Sequence, residues 1–106
     1  MRVDHQQAET FRDTLAQVAY KVCPKYGIDP AECIRASAEA TCFGKHAIHN
    51  NYFNLEGNGD RGHNIYIRSA RTLSSLNGGM EPRTIKLGRF STPEASVHEW
   101  CRRQRR

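Results

Sequence analysis

One glutamate is unusual for its neighbours. Glu39 lies in the segment Ile34–Lys45, among small and apolar residues that include Ala36, Ala38 and Phe43. Apolar surroundings disfavour the charged form of a carboxyl group and so raise its pKa. A carboxyl of that kind suits a general acid near neutral pH. Glu39 is therefore a candidate proton donor, and the alternative interpretation is an exposed glutamate on a helix face.

The cysteines are a second source of chemistry. Cys23, Cys33, Cys42 and Cys101 contain no Cys-x-x-Cys pair, which argues against a zinc ribbon. Four cysteines in so short a chain favour up to two disulfides and an oxidising compartment. Four reduced, partly buried thiols are the alternative.

The histidines suggest no ligand set. His46 and His49 are three residues apart and could share a metal, but exposed histidines on a helix are the more common case. We therefore expect no metal and no cofactor.

Three helices are expected around these residues. Phe11, Leu15, Val18 and Val22 recur at helical spacing within about 6–22. A second helix begins after the cap Asp29, with proline at its first position, and runs to about residue 42. Its expected buried stripe is Ala31, Ile34 and Ala38, which puts Glu39 at the edge of that stripe. The third helix begins at Ser91 or Thr92 and buries Ala95, Val97, Trp100 and Cys101.

A small β element is expected between the second and third helices. Ile65 and Ile67 alternate with polar residues, as do Ile85 and Leu87, and the Gly-rich segment Asn77–Gly79 lies between the two pairs. The predicted fold class is therefore α+β, mostly α, with a small two-stranded β lobe in one domain over residues 1–106.

The predicted helices limit the cysteine pairing. Cys33 and Cys42 are about 13 Å apart by helical rise, whereas a disulfide needs Cα atoms within about 7 Å. Cys23 and Cys33 flank a short loop. We therefore expect the pairs Cys23–Cys33 and Cys42–Cys101, the second joining the third helix to the central one.

Two blocks of the sequence resemble a known family. The segments Ala38–Lys45 and Asn50–Gly57 are similar to the signature of the N-acetylglucosaminidases of glycoside hydrolase family seventy-three. In that family a helix with glutamate, serine, tryptophan, glycine and lysine precedes two asparagines, an aromatic residue and phenylalanine. Tyr26–Pro30 and Arg89–Ser96 match the flanking segments. The resemblance covers about residues 11–101 and implies a lysozyme-like fold, cleavage of peptidoglycan glycan strands, and Glu39 as the catalytic acid.

The sequence departs from the family at several positions. Ala40 and Phe43 replace the serine and tryptophan that follow the acid, and the segment Arg68–Leu76, which matches the place of the second carboxylate, has no acid. Glycosidases commonly use two carboxylates. Glu56 and Asp60 are the nearest candidates for the second, with a surface loop charge and a turn residue as their alternatives. One-acid catalysis by the substrate's acetamido group, or lytic transglycosylation, would need only Glu39.

The resemblance also implies substrate-binding residues. Tyr52 would line a sugar cleft, and Asn50 and Asn51 would bind N-acetyl groups or the backbone, or simply form a turn. Tyr66 and His63 are weaker candidates, and Phe53 is expected in the core.

Composition excludes several classes of protein. A membrane span is excluded, because 25% of the residues are charged and the longest apolar runs are only two or three residues. Four of the sixteen basic residues lie in the tail 102–106, and the rest of the chain holds twelve basic against eleven acidic residues. Because no nucleic-acid motif accompanies this tail, we expect no nucleic-acid partner.

The biological setting follows from the same observations. No signal peptide is visible, yet the cysteines suit an oxidising compartment. We expect a monomeric effector of the type VI secretion system that acts in the periplasm of a target bacterium, with an immunity protein that occludes the cleft. A phage endolysin or lytic transglycosylase, and a non-catalytic lysozyme-like domain that binds glycan or protein, are the alternatives. A small basic nucleic-acid module is the remaining one.

Overall fold

The first helix is built as its periodicity predicts. The computed structural model describes residues 5–71 and 80–104, with the backbone alone at 68–71 and 80–82. Helix α1 (His5–Val22) buries Phe11, Leu15, Ala19 and Val22 on one side. A 3₁₀ turn (Cys23–Tyr26) follows, and it ends where Gly27 takes a left-handed φ of 71°.

The central helix begins at its predicted cap. Helix α2 (Pro30–Thr41) has proline at its first position, and the Asp29 side chain accepts a hydrogen bond from the Ala31 backbone N–H at 2.9 Å. The helix ends at Cys42 (φ 52°), and Phe43 (φ 55°) is left-handed as well. Left-handed backbone is uncommon for such side chains, so this double reversal is a strained way to turn the chain.

Helix α2 buries a different side from the one predicted. The buried residues are Cys33, Ser37 and Thr41, whereas Ala31 is exposed. Small polar side chains can occupy this interface because both hydroxyls bond to nearby backbone. The Thr41 hydroxyl donates to the Ser37 carbonyl at 2.8 Å and accepts from the Gly44 N–H at 2.9 Å. Of the predicted stripe, Ile34 and Ala38 pack partly buried against the core, so the centre of the buried side differs from the prediction by about a quarter turn of the helix.

The β lobe is an antiparallel hairpin. Strand β1 (His63–Arg71) pairs with β2 (Met80–Gly88), and Tyr66 lies opposite Ile85. The predicted connection at 77–79 lies outside the described residues. Ile85 and Leu87 are buried, but Ile65 and Ile67 of β1 point the other way, with 61% and 75% of their surface exposed.

The last helix closes the core. Helix α3 (Pro93–Gln104) buries Val97 and Cys101, and the half-buried Trp100 stacks on Phe53 at a centroid distance of 5.1 Å. The predicted basic tail is partly helical, because α3 continues to Gln104 and both of its arginines pair with Glu99. Arg105 and Arg106 lie outside the described residues.

The core lies between the three helices. Its buried apolar members come from every helix, the 3₁₀ turn and one loop: Phe11, Leu15, Ala19, Val22, Cys23, Cys33, Phe53, Val97 and Cys101. The α+β, mostly helical fold class with a two-stranded lobe is confirmed. Within the described ranges, no helix combines the length and the apolar character that crossing a bilayer requires.

The cysteine positions correct one of the two predicted pairs, Cys42–Cys101. All four cysteines lie within the described ranges, and neither predicted bridge is formed. The Cys101 sulfur lies 3.8 Å from that of Cys23. Cys33 is buried near the start of α2 beside these two, whereas Cys42 follows the opposite end of that helix. Packing of α3 against the 3₁₀ turn therefore brings Cys101 to Cys23 instead of Cys42.

Candidate active site

Glu39 lies near the end of α2 with its side chain in solvent. It follows Ser37, the middle of the buried line, by two residues, which places it about 160° around the helix from the core. The structure therefore puts Glu39 on the open face of α2. An exposed carboxyl in this position can reach a bound molecule directly.

The segment after α2 is bonded back onto the helix beside Glu39. The Ser37 hydroxyl donates to the Tyr52 carbonyl, and the Asn54 side-chain amide donates to the carbonyl of Ala40. Ala40 is the residue next to Glu39. The loop that contains Tyr52 and Asn54 is thus fixed against the end of the helix that presents the candidate acid.

Asn51 holds this loop to the β lobe. It is only 2% exposed, and its side-chain amide donates to the carbonyls of Leu55 and Gly88, each at 3.0 Å. Its side-chain oxygen accepts the Leu55 N–H at 2.9 Å. Of the three roles predicted for Asn51, the structure shows bonding to the backbone.

Asn50 is also bonded to backbone. Its side-chain amide donates to the carbonyl of Phe90 at 3.0 Å, and its φ of 60° is left-handed, a conformation that asparagine tolerates better than most residues. Asn51 therefore holds the loop to the last residue of β2, and Asn50 holds it to the segment that follows β2.

An aromatic groove lies beside this loop. Its volume is about 360 Å³. The ring of Phe11 forms its floor, in edge-to-face contact with Phe43 at 5.8 Å and tilted against Tyr52 at 6.3 Å. Phe43 and Tyr52 both keep part of their surface exposed. Apolar walls with a few polar groups are typical of small-molecule sites.

The other wall of the groove consists of polar residues that the sequence analysis missed. They belong to one side of α1 and are Gln6, Gln7, Thr10 and Thr14. The sequence does contain a signal for this wall, because polar residues spaced by about one helical turn form a stripe along one face of a helix. The apolar periodicity of α1 indicates only its buried side.

Glu56 lies at the edge of the β lobe. It pairs with Leu87 as an isolated bridge, and the Gly57 N–H donates to the Lys86 carbonyl at 2.9 Å. The Glu56 side chain is exposed. It follows Asn54 by two residues, so its backbone is held by the same contacts that fix the loop to α2.

Asp60 is bonded to the start of α3. One carboxylate oxygen accepts the Ser91 N–H at 3.0 Å and the other accepts the Ser91 hydroxyl at 2.6 Å. The Ser91 hydroxyl bond is the main cause that holds the pKa of Asp60 below its ordinary value. The structure thus gives Asp60 a fastening role between the loop and the last helix.

The remaining candidates lie on or near β1. The Tyr66 hydroxyl accepts a hydrogen bond from the Asn64 amide at 3.4 Å, on the sheet face that contains Ile85. His63 is bonded to the Asn58 side chain. Over residues 5–71 and 80–104, no group of three or more His, Cys, Asp or Glu residues is placed to hold a metal.

Comparison with known sequences gives no match. No model of a protein family fits the chain, and no curated protein matches it significantly. The likeness to known proteins is therefore one of structure.

Three solved structures are similar over most of this chain. The catalytic domain of the autolysin Auto from Listeria monocytogenes matches 99% of it with a TM-score of 0.83 and 16% identity. A C-terminally truncated glycoside hydrolase domain of FlgJ from Salmonella typhimurium matches 90% of the chain with a TM-score of 0.65 and 13% identity. A peptidoglycan hydrolase mutant from Sphingomonas sp. A1 matches 88% of the chain with a TM-score of 0.63 and 21% identity.

The present chain is shorter than these structures. It covers 60%, 66% and 63% of their respective lengths. At such identities the likeness concerns the fold. The chain therefore has the lysozyme-like fold that the sequence predicts, a fold that it shares with glycoside hydrolase domains.

Proposed function

We propose that this chain is a glycosidase that cleaves β-1,4 bonds in the glycan strands of peptidoglycan, with Glu39 as the proton donor. The observation on which the proposal depends is the exposed position of Glu39 at the end of α2, next to the loop bonded to Ala40. The fold shared with peptidoglycan hydrolases and the family resemblance of Ala38–Lys45 support it.

The reaction requires proton transfer to the glycosidic oxygen. The Glu39 carboxyl gives its proton to that oxygen as the bond to the anomeric carbon breaks, and Glu39 becomes a carboxylate. Water, or the acetamido oxygen of the substrate, then bonds to the anomeric carbon. Because Glu39 is exposed in the free protein, a bound sugar can reach its carboxyl directly.

The aromatic groove would hold a part of the strand beside the bond that is cut, since Glu39 is not itself one of its lining residues. Phe43 follows Glu39 by four residues, and Tyr52 belongs to the loop bonded to α2. Aromatic rings offer apolar faces to the sugar rings, and the hydroxyls of Thr10 and Thr14 along α1 can bond to hydroxyl and acetamido groups. This arrangement suits a neutral, polar polymer.

The second group of the reaction is Glu56 in preference to Asp60. Both oxygens of Asp60 are already bonded to Ser91, whereas Glu56 is exposed on the segment that follows Asn54. A carboxylate that is free to rotate can activate water or attack the sugar. If neither carboxylate serves, the acetamido route leaves Glu39 as the single acid.

The decisive variant is Glu39→Gln, assayed by zymography and by release of soluble fragments from purified sacculi. We expect at least about a 100-fold loss of rate, with an unchanged far-ultraviolet spectrum, because only the proton source is removed. Glu32→Gln is the matched control, since Glu32 is exposed in the first turn of the same helix. Lysis by Glu39→Gln at the rate of the control would overturn the assignment.

Mass spectrometry of the fragments identifies the reaction. Anhydro-muramic ends indicate transglycosylation, reducing N-acetylglucosamine ends a glucosaminidase, and reducing muramic ends a muramidase. The Glu56→Gln variant separates the two hydrolytic routes, because it should lose about 100-fold in rate only if Glu56 is the second group.

A non-catalytic wall-binding domain is the second candidate function. The hydrogen bonds from Ser91 to both oxygens of Asp60 favour it, since they leave Glu56 as the one predicted second carboxylate that is not engaged in fastening the fold. Co-sedimentation of wild-type protein with sacculi, without release of any soluble fragment, would identify this function.

The proposed setting is a toxin delivered into the periplasm of a target bacterium. The resemblance of Asn50–Gly57 to wall hydrolases supports a target in the wall, and a protein that plugs the cleft over Glu39 would be its immunity partner. Expression with a fused signal peptide should lyse the host, and a neighbour-encoded periplasmic protein should suppress the lysis. Cytosolic expression should be harmless. Periplasmic delivery without lysis would contradict the toxin role.

A further inference from the structure

Three of the four cysteines meet inside the core. Cys23, Cys33 and Cys101 come from the 3₁₀ turn, α2 and α3 respectively, and all three are fully buried. Cys23 is the central member. Its sulfur lies 3.8 Å from that of Cys101. Cys33 lies near it as well, since Cys23 adds to the effect of burial in raising the pKa of the Cys33 thiol.

We propose that this cluster is an oxidation site that accepts one disulfide, Cys23–Cys101, and leaves Cys33 reduced. The sulfurs of Cys23 and Cys101 must approach by about 2 Å to reach a normal S–S bond length, which is within the range of side-chain rotation. Because Cys23 is common to both contacts, one bond at Cys23 excludes the other. The cluster therefore holds a single bridge.

The electrons go to a disulfide-containing oxidant, such as oxidised glutathione or a protein disulfide donor. One cysteine thiolate attacks the donor, forms a mixed disulfide and releases half of the donor as a thiolate. The second cysteine thiolate then displaces the other half. The two protein thiols lose two protons and two electrons, and the donor is reduced to two thiols.

Access to the cluster comes from the end of α3. Cys101 lies three residues before the last described residue of that helix, and the residues that follow it are exposed. Burial raises the pKa of Cys101 to about 12, so the closed cluster reacts slowly. Fraying of the last helical turn would expose Cys101, whereas Cys33 lies near the capped start of α2, so we expect Cys101 to react in preference to Cys33.

The disulfide would link α3 covalently to the 3₁₀ turn that follows α1. It joins positions 78 residues apart, and a cross-link over so long a segment strongly restricts the unfolded chain. Trp100, the neighbour of Cys101, stacks on Phe53 in the loop beside the candidate site. Oxidation thus stabilises the helix against which this loop packs.

The test uses the reduced full chain incubated with oxidised glutathione at neutral pH. The four cysteines fall on four different tryptic peptides, so the linkage can be identified without ambiguity. We expect the peptide 22–25 linked to 90–102, two remaining alkylatable thiols, and a rise of roughly 10 °C in unfolding temperature.

Variants separate the bridge from a general effect of oxidation. Cys33→Ala and Cys42→Ala should keep both the linked peptide and the thermal shift, whereas Cys101→Ala should lose them. If Cys101→Ala does not fold, the wild-type peptide map still decides. A link between Cys23 and Cys33, a link between Cys42 and Cys101, or reaction at Cys42 alone would overturn the proposal.

Discussion

Replacement of Asn51 tests whether one buried side chain holds the loop to the β lobe. Asn51→Ala removes the acceptor of the Leu55 N–H and a donor to the Gly88 carbonyl. The Leu55 carbonyl keeps a second donor, the Gly88 N–H at 2.9 Å. The Phe53 N–H, which donates to the same Asn51 oxygen at 3.4 Å, also loses its acceptor. Three backbone groups therefore lose a partner at a cost of about 1–3 kcal/mol each, so we expect a loss of at least about 3 kcal/mol in the free energy of unfolding.

The assay is urea unfolding under reducing conditions, followed by tryptophan fluorescence. Trp100 is the single tryptophan of the sequence and stacks on Phe53, two residues from Asn51, so its emission reports on this region directly. Asn50→Gly is the matched control. It loses one hydrogen bond but keeps a residue that accepts left-handed backbone, so its cost should be about 1 kcal/mol or less.

Asn51→Asp adds a test in which the direction of the change of stability with pH is predicted. A carboxylate there faces the carbonyls of Leu55 and Gly88, both 3.0 Å from the amide nitrogen that it replaces. Burial near carbonyls raises the pKa of such an aspartate above its unfolded value of about 3.9. The deficit relative to wild type should therefore be small below pH 4 and grow as the pH rises. An Asn51→Ala deficit no larger than that of Asn50→Gly would refute this reasoning.

Three further variants test local features. Gly59→Ala should cost several kcal/mol in urea unfolding, because a Cβ there would lie 2.1 Å from the backbone oxygen of Arg89, and a deficit under about 1 kcal/mol would contradict this. Because the Ser91 hydroxyl holds the pKa of Asp60 below its ordinary value, stability from this contact is present above about pH 4 and is lost as the pH falls. Asp60→Asn should flatten that part of the pH–stability curve, and an unchanged slope would count against the contact. Cys42→Gly should raise the free energy of unfolding by about 1 kcal/mol by relieving left-handed backbone, which a lower urea midpoint would disprove.

The helix boundaries were predictable because their signals are local. Asp29 and the following proline mark the start of α2, and the structure confirms both. The alternating residues at 65–67 and 85–87 likewise predict the strands. Caps and alternation act between residues that are close in the sequence, so a single chain is enough to detect them.

The orientation of α2 and the pairing of the cysteines could not be predicted in this way. Hydrophobicity favours Ala31 and Ile34 as buried, but Ser37 and Thr41 pack more closely because their hydroxyls bond to backbone. Which sulfur meets Cys101 depends on how α3 packs against the 3₁₀ turn, a contact between distant segments. The buried side of α2 and the partner of Cys101 both depend on which face of a helix packs against distant segments. Periodicity alone does not determine that face.

The hydrogen bonds of strand β2 divide the β lobe into two parts that would open separately. Near its end, β2 is bonded on one side to β1 and on the other to the loop, through Gly57 N–H to the Lys86 carbonyl and Gly88 N–H to the Leu55 carbonyl. Farther along β2, the described bonds are to β1. Fluctuations that separate the two strands can therefore spread along the hairpin and stop at Lys86, where the loop bonds remain. We therefore expect the base of the lobe to unfold together with the helices, and the loop beside Glu39 to stay in place when the described parts of β1 and β2 beyond Lys86 separate.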